Sequence, residues 1–200
     1  MKVTLIDKNI NCIDTTISGL SLCRDKQCTK KTVDHCMTAK PVPHLAALEM
    51  CWFCFAVEGV SVKMRIQLER HRMFSSIERS TRSINMSDAE FIIPPTAKNP
   101  EHFKISYMEA MHNYELAIKQ GESLEDAAYL LPVGVETKFQ LSGNGRVWFE
   151  YLQKRLCRKH VQREHYLFAR EIYKQLVREI PQFKCAHPCR ECKQCKKDVN

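Results

Sequence analysis

The stretch Gln67-Leu68-Glu69-Arg70-His71-Arg72-Met73-Phe74-Ser75-Ser76-Ile77-Glu78-Arg79-Ser80-Thr81-Arg82 carries the densest chemistry in the chain. Residues 62–73 have helical spacing, and on a helix Gln67, Arg70 and His71 share one face at i, i+3 and i+4. That face offers an amide, a guanidinium and an imidazole together. A guanidinium grips a phosphate or a pair of carbonyls through two parallel hydrogen bonds. Ser80 and Arg82 add a hydroxyl and a further cation, and Glu78 is the acceptor in a basic run. On charge pattern alone, such a run is more often a solvated helix face.

Outward from this stretch, β-forming residues 2–6 predict a short strand and residues 13–22 a helix. Residues 24–43 are polar and basic, ending in Pro41 and Pro43, and predict mostly loop with one short helix. The apolar, aromatic run 50–58 predicts a strand buried on both faces and ended by Gly59. Residues 90–93 predict a strand stopped by Pro94 and Pro95, and 101–120 a helix with Gly121 just past its end. Ser123-Leu124-Glu125-Asp126 opens a short helix that stops before Pro132. A strand over 133–142, a turn at Gly143-Asn144-Gly145 and two helices between Arg146 and Ile180 complete the pass.

Arg70-His71-Arg72, seven residues, then Ser80 resembles the RHR-x7-S signature of the flavin-dependent thymidylate synthases. Upstream, His44 and Glu49 resemble the family's H-x4-E pair. Downstream, Leu131-Pro132 with Thr137, Asn144-Gly145-Arg146, Arg155 nine residues on, and Val161-Gln162-Arg163-Glu164 follow in the family's order. The similarity spans residues 2–180. It implies an α/β (α+β) fold, with a mainly antiparallel central sheet flanked by helices. The family converts dUMP to dTMP, with methylenetetrahydrofolate as carbon donor and FAD reduced by NADPH, in a homotetramer whose active sites lie at subunit interfaces. The resemblance assigns Arg155 to catalysis beside the uracil carbonyl and N3. It assigns His44, Arg70, His71, Arg72, Glu78, Asn144, Arg146 and Glu150 to cofactor binding. Gln67, Arg70, Glu78, Ser80, Arg82 and Arg155 are assigned to the nucleotide. Six positions depart from the family pattern, among them Met50, where a histidine is usual, and Ile77 and Ser83. Ala128 stands where an arginine usually grips the dUMP phosphate, Glu150 where Asn or His often meets the flavin, and Ala46 where a hydroxyl residue is usual. A family paralogue acting on another pyrimidine nucleotide therefore stays as an alternative.

Lys plus Arg number 31 against 23 Asp plus Glu, a formal net charge of +8 that suits anionic ligands. No glycine-rich phosphate loop of the common kinds occurs among the six glycines. No apolar run approaches the ~20 residues of a membrane helix, and the charged N-terminus does not read as a signal peptide. Eleven cysteines, an odd number, argue for a reducing compartment, and the expected location is the cytoplasm. Residues 1–181 are expected to form the enzyme-like domain and 182–200 a basic, cysteine-rich tail. In that tail Cys185, Cys189, Cys192 and Cys195, with His187 among them, have the spacing of a structural zinc site. Cys23, Cys28, Cys36 and His35 are candidates to complete it, and a tail without metal is the other reading. Cys51 and Cys54 read as buried small hydrophobes. A basic cysteine-knuckle protein that binds nucleic acid is the alternative of a different class, ranked behind because it leaves the ordered motifs unexplained.

Overall fold

The computed structural model describes residues 1–39 and 44–186. The order is β1 (Lys2–Lys8), α1 (Cys12–Arg24), α2 (Lys30–Thr38), β2 (Trp52–Ser61), α3 (Val62–Leu68), β3 (Ser75–Glu78), α4 (Pro100–Lys119), α5 (Leu124–Ala127), β4 (Glu136–Asn144), α6 (Gly145–Arg155) and α7 (Arg163–Glu179), with short 3₁₀ turns between and after them. The strands form one antiparallel sheet in the order β1-β2-β4-β3. The pairs that fix its register run in opposite directions. Asn9 N–H donates to Trp52 O, whereas Met1 lies against Gly59. Cys51 O accepts from Gly145 N–H at one end, and at the other Gly59 N–H donates to the Glu136 side-chain carboxylate at 2.9 Å.

β2 is not buried on both faces. Phe53, Phe55 and Val57 are buried, while Trp52 is 48% exposed and Cys54 and Ala56 are half-buried, so the aromatic run alternates like a one-sided strand. Gly59 does not end it. The strand continues to Ser61 through Gly59 at φ +71°, where a Cβ would sit 2.8 Å from the Met1 nitrogen. Residues 90–93 contribute only a single bridge, Phe91 to Val135, and Gly143–Gly145 is no turn. β4 passes straight into α6, and Asn144 caps the helix by accepting from Val147 N–H at 3.0 Å.

The chain divides into two compact units. Among the described residues, one comprises Met1–Lys2, Val57–Arg70 and Ser76–Gln140, the other those of Val3–Ala56, His71–Ser75 and 141–186. The core of the first is Met86, Ala89, Met111, Tyr114, Ala127 and Val135, and the buried Tyr114 hydroxyl accepts from Met86 N–H at 3.0 Å. In the second, Phe53 and Phe55 meet Phe183 and Trp148 edge-on, with ring centroids 5.9 and 5.0 Å apart. Its edge strand is clipped by α7. The Gln175 side chain accepts from Leu5 N–H and donates to Val3 O, both at 2.8 Å, which satisfies backbone groups an edge leaves open. Cys51 is buried as expected, with its thiol 3.7 Å from the Thr16 hydroxyl. Cys54 is half-buried.

The helix expected over 62–73 stops at Leu68, so the shared face of Gln67, Arg70 and His71 does not form. After Leu68 the chain turns, with Phe74 N–H donating to His71 O at 3.3 Å. The cause is burial. Residues 71–75 belong to the second unit, where Phe74 packs 4.4 Å from Trp148 and His71 packs 4.8 Å from Tyr151.

Candidate functional site

In the second unit the helix α6 places Tyr151 and Arg155 at i and i+4, on one face. Arg155 Nε–H donates to His71 Nε2 at 2.9 Å. An accepting Nε2 carries no proton, so the neutral ring holds its proton on Nδ1. Burial, then the Arg155 and Lys154 cations, hold the His71 pKa down at about 4. His165, fully buried on α7, packs 6.3 Å from His71 and 5.7 Å from Tyr151. Burial, then Arg155 and His71, hold its pKa at about 3, and burial pushes the Tyr151 phenol well above its ordinary value. The Tyr151 hydroxyl and both His165 nitrogens are buried without a hydrogen-bond partner among the described residues. The result is a permanent cation backed by three neutral polar rings. The field of a guanidinium in such low-dielectric surroundings is stronger than in water.

Phe74 floors this cluster, and Gly143 admits it, since a Cβ there would lie 2.7 Å from the Phe74 ring. Nearby in sequence, Arg146 Nη1 contacts Glu49 at 2.7 Å and its Nε contacts Glu150 at 2.9 Å. His44, exposed, begins the 3₁₀ turn Leu45–Leu48 that leads to Glu49, and its backbone N–H donates to Cys36 O at 2.7 Å. Arg72 is exposed and has no ion-pair partner among the described residues.

The first unit holds the other expected residues. Arg65, 6% exposed, is the organiser. It pairs with Glu78 at 2.9 Å and Glu69 at 3.3 Å, donates to the Ser76 hydroxyl at 2.8 Å, and lies 5.2 Å over the Phe139 ring. Burial raises the Glu78 pKa while Arg65 pulls it back. Arg82 meets Glu125 through a two-pronged fork at 3.0 and 3.1 Å. The Ser80 hydroxyl accepts from Arg82 N–H at 3.3 Å, and Gln67 O accepts from Arg70 N–H at 3.4 Å. Arg70 is exposed, and none of the ion pairs among the described residues includes it.

Residues 8–182 match the family model described as "Thymidylate synthase complementing protein". The chain belongs to that family. Among curated members it is 30% identical over 134 residues to the flavin-dependent thymidylate synthase of Clostridium tetani, covering 57% of this chain and 54% of that protein. To the enzyme of the same name from Thermococcus onnurineus it is 37% identical over 124 residues, covering 58% and 51%. The chain thus spans about half the length of these curated relatives. Its fold is similar to the crystal structure of thymidylate synthase X from Helicobacter pylori with FAD and dUMP. The TM-score is 0.76 at 18% identity, covering 94% of this chain and 99% of that one.

Within this thymidylate synthase complementing protein fold, the residues expected to face the nucleotide divide unevenly. Gln67, Arg70, Glu78, Ser80 and Arg82 lie in the first unit, and Arg155 in the second. His44, His71, Arg72, Asn144, Arg146 and Glu150 also lie in the second. The structure brings together Arg155 with His71, and Arg146 with Glu150, Glu49 and the Asn144 cap. Sequence reading missed Arg65, Glu125, Tyr151 and His165 as members of these clusters. Tyr151 was legible from its i, i+4 spacing to Arg155. Arg65 had a local signal only in its i, i+4 spacing to Glu69, and Glu125 and His165 had none, because their partners come from elsewhere in the chain. Of the proposed metal ligands, Cys185 is half-buried and free, while His187, Cys189, Cys192 and Cys195 lie outside the described residues. Among the described residues, no group of three or more His, Cys, Asp or Glu side chains is placed to hold a metal, Cys23, Cys28, Cys36 and His35 included. No helix among them is long and apolar enough to cross a membrane.

Proposed function

We propose that this chain methylates dUMP to dTMP, with methylenetetrahydrofolate as carbon donor, NADPH as reductant and FAD as the bound redox group. The observation that carries the reading is the 2.9 Å hydrogen bond from Arg155 to His71, which ties the arginine expected at the uracil to the centre of Arg70-His71-Arg72. The donor set fits FAD. Arg70 and Arg72 are exposed cations without ion-pair partners among the described residues, which suits a pyrophosphate. Arg146 already meets two carboxylates, so it suits a neutral part of the cofactor, with Asn144, Glu150 and His44 beside it in sequence or through Glu49. When bound, the flavin supplies the hydride that completes the methyl group.

The protein's own part is position and charge. A guanidinium is a fixed cation, so a pyrimidine N3 facing Arg155 loses its proton at lower cost. The resulting imide anion makes C5 the better carbon nucleophile, with no cysteine nucleophile needed. Gln67, Arg70, Glu78, Ser80 and Arg82 hold the nucleotide, with Arg79 and Lys138 standing in for the arginine replaced by Ala128. Arg79, one residue past β3, donates its backbone N–H to Lys138 O on β4 at 2.9 Å, which sets the two residues side by side. The homotetramer, the catalytic stretch 1–181, the zinc-binding tail 182–200 and a cytoplasmic location are parts of the same proposal. The absence of an arginine at Ala128 favours a second substrate reading, another pyrimidine nucleotide.

Two measurements test this. Protein is denatured and the supernatant chromatographed for FAD. Protein with FAD, NADPH and methylenetetrahydrofolate is then given dUMP, dCMP or UMP, and the products are weighed by mass spectrometry. Flavin near stoichiometry and dUMP gaining 14 mass units, about one CH₂, is the expected result. Protein that takes up no flavin and leaves every nucleotide at its original mass would refute the proposal.

A further inference from the structure

We propose that His71 is a positioning residue for Arg155: its Nε2 holds the Arg155 Nε–H and aims the guanidinium's far edge at the pyrimidine. This rests on the function proposed above and goes beyond a flavin contact for His71. A guanidinium has five N–H donors, one on Nε and two on each Nη. The bond to His71 at 2.9 Å uses the Nε–H and leaves the Nη1–Nη2 pair as a planar fork. That fork matches two adjacent acceptors, a carbonyl oxygen and the imide nitrogen once it has lost its proton. An arginine on the last residue of α6 would otherwise sample many rotamers, at an entropic cost on binding.

The anchor works only if His71 is neutral, and its surroundings keep it so. The charged groups that bear on it, Arg155 and Lys154 on α6, both disfavour an imidazolium. The groups packed on it from α6 and α7, Tyr151 and His165, are both uncharged, and Phe74 closes the remaining side. An imidazole that accepts at Nε2 must also be the Nδ1–H tautomer, the minor one for free histidine. Both requirements are met by packing that places no acceptor carboxylate against the ring among the described residues.

The test is a double-mutant cycle with a spectroscopic arm. His71→Ala, His71→Gln, Arg155→Lys and His71→Ala/Arg155→Lys are compared by kcat and KM for dTMP formation, per bound FAD, with folding checked by circular dichroism. Misplacing a catalytic group by about 1 Å costs on the order of 10²-fold, so His71→Ala should lose roughly that in kcat with little change in KM. His71→Gln, which keeps an acceptor near Nε2, should recover about 10-fold of the loss. In the Arg155→Lys background, His71→Ala should cost less than about 3-fold, because the bond it removes is already gone. Equal losses in both backgrounds overturn the inference. Independently, ¹⁵N NMR of the imidazole should show Nδ1–H in the wild type and Nε2–H in Arg155→Met. Nε2–H in the wild type overturns the inference whatever the turnover. Nδ1–H with bound flavin and no dTMP supports the anchor and refutes the proposed reaction instead.

Discussion

Acidifying the protein from about pH 7.5 to about pH 5 should remove about 4 kcal/mol of folding stability through His71 and His165, and His165→Leu should abolish about half of that loss. The sign follows from where the protons sit. An unfolded histidine titrates at 6.5, and the folded pKa values are about 4 and about 3. Between those limits the unfolded chain binds protons that the native state refuses, so stability rises with pH and falls on acidification. Each pH unit in that window is worth about 1.4 kcal/mol per histidine. At about pH 5 each group has therefore withdrawn about 2 kcal/mol, a large fraction of the roughly 5–15 kcal/mol that holds a domain together. The assay is urea unfolding at both pH values, followed by the fluorescence of the buried Trp148. Carboxylate titration is common to wild type and variant and cancels in the difference. A pH-dependent loss that is the same in His165→Leu would refute the claim that this ring is held neutral by burial.

Three further outcomes follow from single contacts. Tyr114→Phe orphans the buried Met86 N–H and should cost about 1–3 kcal/mol in urea unfolding. Glu125→Ala frees Arg82 from its fork and should lower the KM for the nucleotide a few-fold, whereas Arg82→Ala raises it; an unchanged KM in Glu125→Ala would mean that Arg82 does not meet the substrate. Gly59→Ala forces a side chain into φ +71° against Met1 and should cost at least about 1 kcal/mol, read as a lower melting temperature.

The order of elements was largely legible because hydrophobic period and capping residues are local. Ser123, Gly121 and the α6–α7 periodicity each landed where expected. The errors share one cause. The run 50–58 is apolar enough for two buried faces, yet Trp52 stays 48% exposed, since burial depends on what covers a strand rather than on the strand. The helix over 62–73 obeyed its period only to Leu68, because burying Phe74 and His71 among Trp148 and Tyr151 outweighed continuing the helix. Motif spacing singled out His71 and Arg155 but not their hydrogen bond, which joins residues 84 apart. Likewise Glu78 and Arg82 looked free in sequence, and their partners Arg65 and Glu125 became visible only in three dimensions.

The junction at Asn144 leaves no slack between β4 and α6. Each helical residue advances about 100° around the axis. One residue inserted or deleted between Asn144 and Tyr151 would therefore swing Arg155 about 100° away from His71, however well the new helix formed. Strand register is thus geared to helix phase, and a change of length between Gly143 and Tyr151 would misplace Arg155 even where every side chain is kept.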